Sequence, residues 1–280
     1  MTSGIFDGYL RQLGITDPGS PSAEALFALQ RAHLERVPYE NIDIQLGRPP
    51  GIDPELSVRR FAAGRGGYCF HLNGAFAALL DHLGYDVTLH LGGVYEEADA
   101  LGVNGNHLAL TVRVDSAAYL VDAGLGDGPY DPLPLREGTY DQGGFSYGLE
   151  PLAGPEPGWT YRNADGPFPV MNFRSAPASM DDFAAEHLRL STAEDSPFIG
   201  TLALLRRDAD GIDVLRGRVL TRIDAAKGAS KRELTTPEEF YEVISGLFGR
   251  ELDDLTPVDR SALWARVCRA DAAWRADREG

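Results

Sequence analysis

Arg65-Gly66-Gly67-Tyr68-Cys69-Phe70-His71-Leu72-Asn73-Gly74 sets a thiol where a glycine turn runs into a helix. Phe76, Leu79, Leu80 and Leu83 follow at helical spacing, and Gly84 offers a stop. The first turn of a helix presents N–H groups without intrahelical partners and the positive end of the macrodipole. Both favour a thiolate over a thiol, and the thiolate is the nucleophile. Arg65, close in sequence, pushes the same way. The plain alternative is a buried cysteine acting as a small hydrophobe, which is common for a free cysteine.

Two further segments bear on that choice. Gly105-Asn106-His107 opens an apolar run over 108–114, and a second run follows over 118–123. Both read as strands, and the short connection around Asp115 reads as a hairpin turn. If Val114 faces Ala117, then His107 faces Gly124 and Asp122 lies diagonally beside His107 on the same sheet face. A slip of one residue would part them. In the paired register Asp122 can orient the imidazole, and the imidazole can take the proton of Cys69. Separately, His107 could be a strand-end histidine and Asp122 a turn former.

The whole chain reads as α+β. Ser22 can cap a helix with Leu26, Leu29, His33, Leu34 and Val37 on one stripe, ended by Pro38. Short β-type runs at 87–95, 108–114, 118–123, 159–162 and 168–173 alternate with Gly- and Pro-rich turns. Later runs at 199–207 and 212–223 flank a hairpin signal at Asp210-Gly211. Thr236-Pro237-Glu238-Glu239 then opens a helix that Gly249 ends. The expected organisation is an N-terminal helical bundle over 1–86 carrying the nucleophile, a central β-barrel over 87–190 carrying His107 and Asp122, and a C-terminal α/β lid over 191–280. A Cys-His-Asp set in such a frame is arranged as in cysteine proteases.

Lys plus Arg number 26 and Asp plus Glu 42 in 280 residues, a formal charge of −16. So acidic a surface repels phosphate backbones and anionic lipid, which argues against nucleic-acid and membrane roles. The first residues carry no basic stretch followed by an apolar one, so no secretory leader is expected and the cytoplasm is the default. Two cysteines make no disulfide framework. No metal is expected: CxxC and HExxH patterns are absent, and Cys69 and His71 point roughly 200° apart on a helix. Cys268 sits mid-helix with no activating feature. His33, His82, His90 and His187 read as core or surface residues.

Taken together, Arg65-Gly66-Gly67-Tyr68-Cys69, Asn106-His107, Val121-Asp122-Ala123-Gly124-Leu125-Gly126-Asp127-Gly128-Pro129 and the early Val37-Pro38-Tyr39-Glu40-Asn41 resemble the arylamine N-acetyltransferase family. The resemblance implies that Cys69 is the acetylated nucleophile, His107 the base and Asp122 its orienting partner. Val37, Tyr39, Leu125 and Gly126, which stand in the matching stretches, are the expected acceptor-binding residues. Asn104, Gly105 and Asn106, ending a polar loop, are the expected donor-binding residues. A second candidate for the polyanionic donor is the run of Arg206, Arg207, Arg216, Arg218, Lys227, Lys231 and Arg232, although charged strand faces are usually just solvated. Two departures stand out. The family usually has a carboxylate two residues after the cysteine, where this chain has His71. It often has an aromatic between the two glycines where Leu125 stands, and an aliphatic side chain cannot stack on a ring.

The implied reaction is a ping-pong acetyl transfer from acetyl-CoA through Cys69 to an aromatic amine, hydrazine or N-hydroxyarylamine. Three rivals keep parts of the same reading. One is an amide synthase closing a macrolactam on this scaffold. Another is a cysteine hydrolase or transglutaminase-like enzyme. The last is a non-catalytic binding module in which Cys69 is structural.

Overall fold

The computed structural model describes residues 3–164 and 166–279. Met1 and Thr2, which begin the stretch read as carrying no leader, lie outside the described residues. The first third is helical: α1 (Ser3–Gln12), α2 (Ala23–Arg36), α3 (Ile42–Gln45), α4 (Pro54–Ala62) and α5 (Cys69–His82), with the short strand β1 (Tyr39–Glu40) between α2 and α3. Ser22 Oγ accepts from the Ala25 N–H at 3.1 Å and so starts α2. From Cys69 to Ala77 every residue of α5 is buried, as expected of a helix apolar on most sides. It packs beneath α4 and against the first strands that follow.

Those strands are β2 (Asp86–Tyr95), β3 (His107–Val114), β4 (Ala117–Val121), β5 (Leu133–Pro134), β6 (Gly138–Gln142), β7 (Phe145–Pro151), β8 (Gly158–Arg162) and β9 (Val170–Pro177). They form one antiparallel sheet in the order β5-β4-β3-β2-β9-β8-β7-β6, curled into a nearly closed barrel. The β6–β7 hairpin was not read from the sequence. Its strand Gly-Thr-Tyr-Asp-Gln is mostly polar, and only Gly143-Gly144, both at positive φ, carry a hairpin signal.

The chain then forms α6 (Ala184–Thr192), the single turn α7 (Pro197–Gly200), and strands β10 (Ala203–Arg207), β11 (Gly211–Arg216), β12 (Val219–Asp224) and β13 (Gly228–Glu233), followed by α8 (Pro237–Glu242) and α9 (Pro257–Glu279). Two strand readings are corrected here. The run from 199 begins in α7, and the run 212–223 is two strands broken at Gly217, whose φ of +58 turns the chain. The second sheet runs β1-β10-β11-β12-β13. Its outer edge partner β1 comes from the helical first third, so the sheet is not made by the last third alone.

Alternation along these strands separates two cores. Leu204, Leu215 and Leu220 face Phe240, Ile244, Leu263 and Val267 of the C-terminal helices. Ile212, Val214 and Ile223 face the barrel interior beside Phe145, Tyr147 and Leu125. The second sheet is thus held between the barrel and the last helices. Among the described residues no helix is long and apolar enough to cross a membrane.

Candidate active site

Cys69 is the first residue of α5 and is 5% exposed. The turn before it is tight. A Cβ on Gly66 would lie 2.2 Å from the Pro38 carbonyl oxygen, and one on Gly67 would lie 2.6 Å from His71 Cβ. His71 closes the helix start: its Nδ1 accepts from the Tyr68 N–H at 3.4 Å, and its Nε2–H donates to the Pro50 carbonyl at 3.4 Å. Accepting on one nitrogen and donating from the other requires a neutral ring. Burial, with the Arg60 charge and His187 behind it, lowers His71 to about 3. The histidine therefore fills the capping-box position that a carboxylate more often takes. Arg65 is otherwise occupied than the sequence suggested: it pairs with Asp253 at 2.7 Å and Asp254 at 3.1 Å, which offset its charge.

The hairpin has the expected register. Val114 pairs with Ala117, and the turn residues Asp115 and Ser116 take φ of 51° and 64°, the left-handed pair of a type I′ turn. His107 Nε2–H donates to Asp122 Oδ2 at 2.7 Å, with both residues buried. The other oxygen, Oδ1, accepts from Asn73 Nδ2 at 3.0 Å, Gly124 N at 2.8 Å and Leu125 N at 3.1 Å. A carboxylate only accepts, so the ring proton resides on Nε2 and Nδ1 is left for another partner. Cys69 Sγ–H donates to the Asn106 carbonyl at 3.6 Å, one residue from the histidine. Burial disfavours a charged His107, but the Asp122 carboxylate and its hydrogen bond outweigh it, and the nearby Cys69 sulfur adds to them. The ring is raised to about 10.

Two side chains that the sequence reading did not assign support this cluster. Asn73 donates to Asp122 and to the Leu108 carbonyl at 2.6 Å, and accepts from the Ala123 N–H at 2.8 Å. It stands four residues after Cys69, on the same helix face, so its spacing was the available signal. Gln30 accepts from the Asp122 N–H at 3.3 Å and donates to the Pro129 carbonyl at 3.1 Å. Nothing in the local sequence marked Gln30, which reaches the site from α2.

Of the expected acceptor residues, Tyr39 and Gly126 meet the same strand. Tyr39 pairs with Leu205, and a Cβ on Gly126 would lie 3.0 Å from Leu205 Cδ2. Gly126 also needs its φ of +79. Burial raises the Tyr39 hydroxyl, and Cys69 and Asp127 raise it further while Arg216 opposes them. Val37 is buried at the end of α2, and half-buried Leu125 lines the barrel side. Asp127, not singled out beforehand, is buried in the same loop, and burial raises it to about 7.

The expected donor residues are largely engaged with the chain itself. Asn106 Oδ1 accepts from Val94 N at 2.8 Å while its Nδ2 donates to Val94 O at 3.1 Å, and Asn104 Oδ1 accepts from Asn106 N. Gly105 N–H donates to the Gly92 carbonyl. Of the run of seven cations, three are paired with carboxylates and one is buried on a ring. Arg206 pairs with Asp213, Arg218 with Glu233 and Lys227 with Asp224, while Arg207 is buried over the Phe145 ring at 4.5 Å.

A family profile described as N-acetyltransferase matches residues 22–256. The chain belongs to the arylamine N-acetyltransferase family. The enzyme of that name from Nocardia farcinica superposes with a TM-score of 0.82 at 32% identity, covering 92% of this chain and 93% of that one. The arylamine N-acetyltransferase of Mycobacterium marinum, solved in complex with CoA, superposes with a TM-score of 0.84 at 26% identity, covering 95% and 99%. Proansamycin X synthase of Amycolatopsis mediterranei (strain S699) is 32% identical over 152 residues, 52% of this chain and 58% of that relative. Matches to the first curated relatives span about half of their length. As in those N-acetyltransferases, the fold is α+β with the barrel and helices described above.

Proposed function

We propose that this arylamine N-acetyltransferase family member carries acetyl groups from acetyl-CoA to arylamines, hydrazines or N-hydroxyarylamines through Cys69, with His107 as base and Asp122 as its orienting partner. The observation that carries the reading is the 2.7 Å contact between Asp122 and His107 Nε2, which leaves the opposite ring nitrogen for a thiol at a helix start. His107 takes the thiol proton, and the sulfur attacks the thioester carbonyl. The tetrahedral adduct's oxygen lies near the Cys69 backbone N–H, a natural donor to it. The adduct collapses, and CoA leaves as a thiol with the proton from His107. The acceptor amine then attacks the acetyl-cysteine, His107 removes its proton, and the Cys69 sulfur departs.

In this reading 1–86 supplies the nucleophile, 87–190 the base and its partner, and 191–280 the cover over them. We place the activity in the cytoplasm, where acyl-CoA thioesters are kept. Val37, Tyr39, Leu125 and Gly126 form the acceptor wall, and an aliphatic Leu125 favours acceptors that do not rely on ring stacking there. A relative named proansamycin X synthase, together with Leu125, favours amide synthesis as the second reading. Incubation with acetyl-CoA and no acceptor should add one acetyl mass to the Cys69 peptide, and Cys69→Ala should abolish it. An unmodified peptide would remove the acetyl-enzyme from the scheme. Turnover of a simple aryl amine or hydrazide separates the two readings.

A further inference from the structure

One carboxylate grips the glycine turn before Cys69. Glu40 Oε1 accepts from the Gly66 N–H at 3.3 Å, and the Glu40 N–H donates to the Gly67 carbonyl at 2.8 Å. Its other oxygen, Oε2, accepts from the Ile42 N–H at 2.6 Å. A Cβ on Gly66 would lie 2.6 Å from Glu40 Cγ, so this side chain is packed on the turn as well as bonded to it. Tyr68 and then Cys69 follow directly. The place of Glu40 therefore sets where α5 begins and where its first side chain points. Glu40 is 2% exposed, and a carboxylate so deep is costly without a cation against it.

That cation is not the neighbouring Arg65, which lies on Asp253 and Asp254. It is Arg250, 210 residues further along the chain. Gly249, at φ +65, ends the preceding helix, and Arg250 turns inward with none of its surface exposed. Its Nε–H donates to Glu40 Oε1 at 3.3 Å, while Nη1 and Nη2 each donate to one oxygen of Asp254 at 2.9 Å. Nη1 also donates to the Glu251 carbonyl. The planar fork holds both carboxylates in one orientation, which a single ammonium cannot do. The next residue is tied to the same turn. The Glu251 N–H donates to the Gly64 carbonyl at 2.9 Å, and a Cβ on Gly64 would collide with Glu251 Cγ. The stretch 249–254 thus holds the turn at Gly64, at Arg65 and, through Glu40, at Gly66.

We infer that Arg250 is a positioning residue for acetyl transfer. It fixes Glu40, Glu40 fixes the Gly66–Gly67 turn, and the turn sets the Cys69 sulfur against His107. Arg250 itself touches no reacting atom. This role rests on the reading of Cys69 as the acetyl carrier.

The test is single-turnover acetylation of Cys69 by acetyl-CoA with no acceptor present. Arg250→Lys keeps a charge beside Glu40, and so the fold, but loses the fork. Its maximal acetylation rate should fall about tenfold, and that of Arg250→Met about a hundredfold, the scale that misplacement of about 1 Å brings. The acetyl-CoA concentration giving half the maximal rate should stay that of the parent, because no donor contact is removed. Iodoacetamide labelling of Cys268 on α9 should not change, which reports that the C-terminal helices stay packed. Adding Glu40→Gln to Arg250→Met should cost no more than the larger single loss, because the two residues act in series. A parent-like maximal rate in Arg250→Lys overturns the inference. So do losses that multiply in the double variant, or a raised half-saturating concentration with the maximal rate kept. Faster labelling of Cys268 alongside the lost rate would mean a general loosening and overturn it as well. If the parent protein takes up no acetyl group, the acetyl-carrier reading fails and this role falls with it, whereas an active parent matched by its lysine variant removes only the positioning role.

Discussion

Gly124 and Cys69 touch backbone to backbone. A Cβ on Gly124 would come within 2.8 Å of Cys69 Cα and 3.0 Å of its Cβ, and within 2.9 Å of Asn73 Nδ2. The loop that holds the aspartate is thereby pressed against the helix that holds the sulfur. Gly124→Ala should force the two apart. The expected result is a fall in acetyl transfer of at least about a hundredfold, the scale that misplacement of about 1 Å brings, with circular dichroism close to wild type. Full activity in the variant would show that the loop and helix tolerate separation.

Asn73 ties the same helix to the same loop through Asp122 and Ala123, adds a bond to the Leu108 carbonyl of β3, and is fully buried. Asn73→Ala strands a buried carbonyl and a buried N–H, at about 1–3 kcal/mol each. Asn73→Asp sets a second carboxylate against Asp122 and should be worse for activity than alanine. Urea midpoints and acetyl-transfer rates for the pair check the order; a milder aspartate variant would contradict the contact to Asp122.

Asp122 favours the charged form of His107, so a ring that has taken up a second proton gives it back to solvent only as pH climbs through about 10. In NMR spectra the His107 ring should therefore keep its charged-form shifts from about pH 7 to about pH 9. Asp122→Asn removes the charge that raises the ring, and its titration should move to lower pH. A wild-type ring that loses its charge near 6.5 would show that Asp122 does not hold the proton there.

Acid should weaken the fold through two other histidines. Burial lowers both His33 and His71 from 6.5 to about 3. Below 6.5 the unfolded chain binds protons that the folded chain refuses, so stability is complete above that pH and falls as pH drops toward about 3. His71→Gln keeps a side-chain oxygen able to accept from Tyr68 N–H and has no proton to take up. Urea unfolding between about pH 7 and about pH 5 should lose less stability in this variant than in the wild type. An identical loss in both would place the acid sensitivity elsewhere.

The sequence disclosed the local pieces well. The glycine turn, the start of α5, the α2 cap and the β3–β4 register were all readable because each depends on residues a few positions apart. Even the pairing of His107 with Asp122 followed from one assumed hairpin register. What the sequence concealed was set over long distances. Asn73 and Gln30 matter only because of what the fold brings to them. The reading of Arg65 as a helper of the thiolate failed because Asp253 and Asp254, almost two hundred positions later, claim it. In the β6–β7 hairpin only β7 carries the alternation that marks a strand, with Phe145, Tyr147 and Leu149 buried, whereas polar β6 gives no such pattern and is held by its pairing with β7.

The two-residue strand β1 has a consequence for how the molecule is made. Tyr39 and Glu40 wait for Leu205 and Leu204, so a nascent polypeptide carries its sulfur for most of translation before that side can be walled in. Contacts so distant in the chain form late. The helix and barrel that carry Cys69, His107 and Asp122 can thus assemble before β10 exists, and the β1–β10 pairing comes after them.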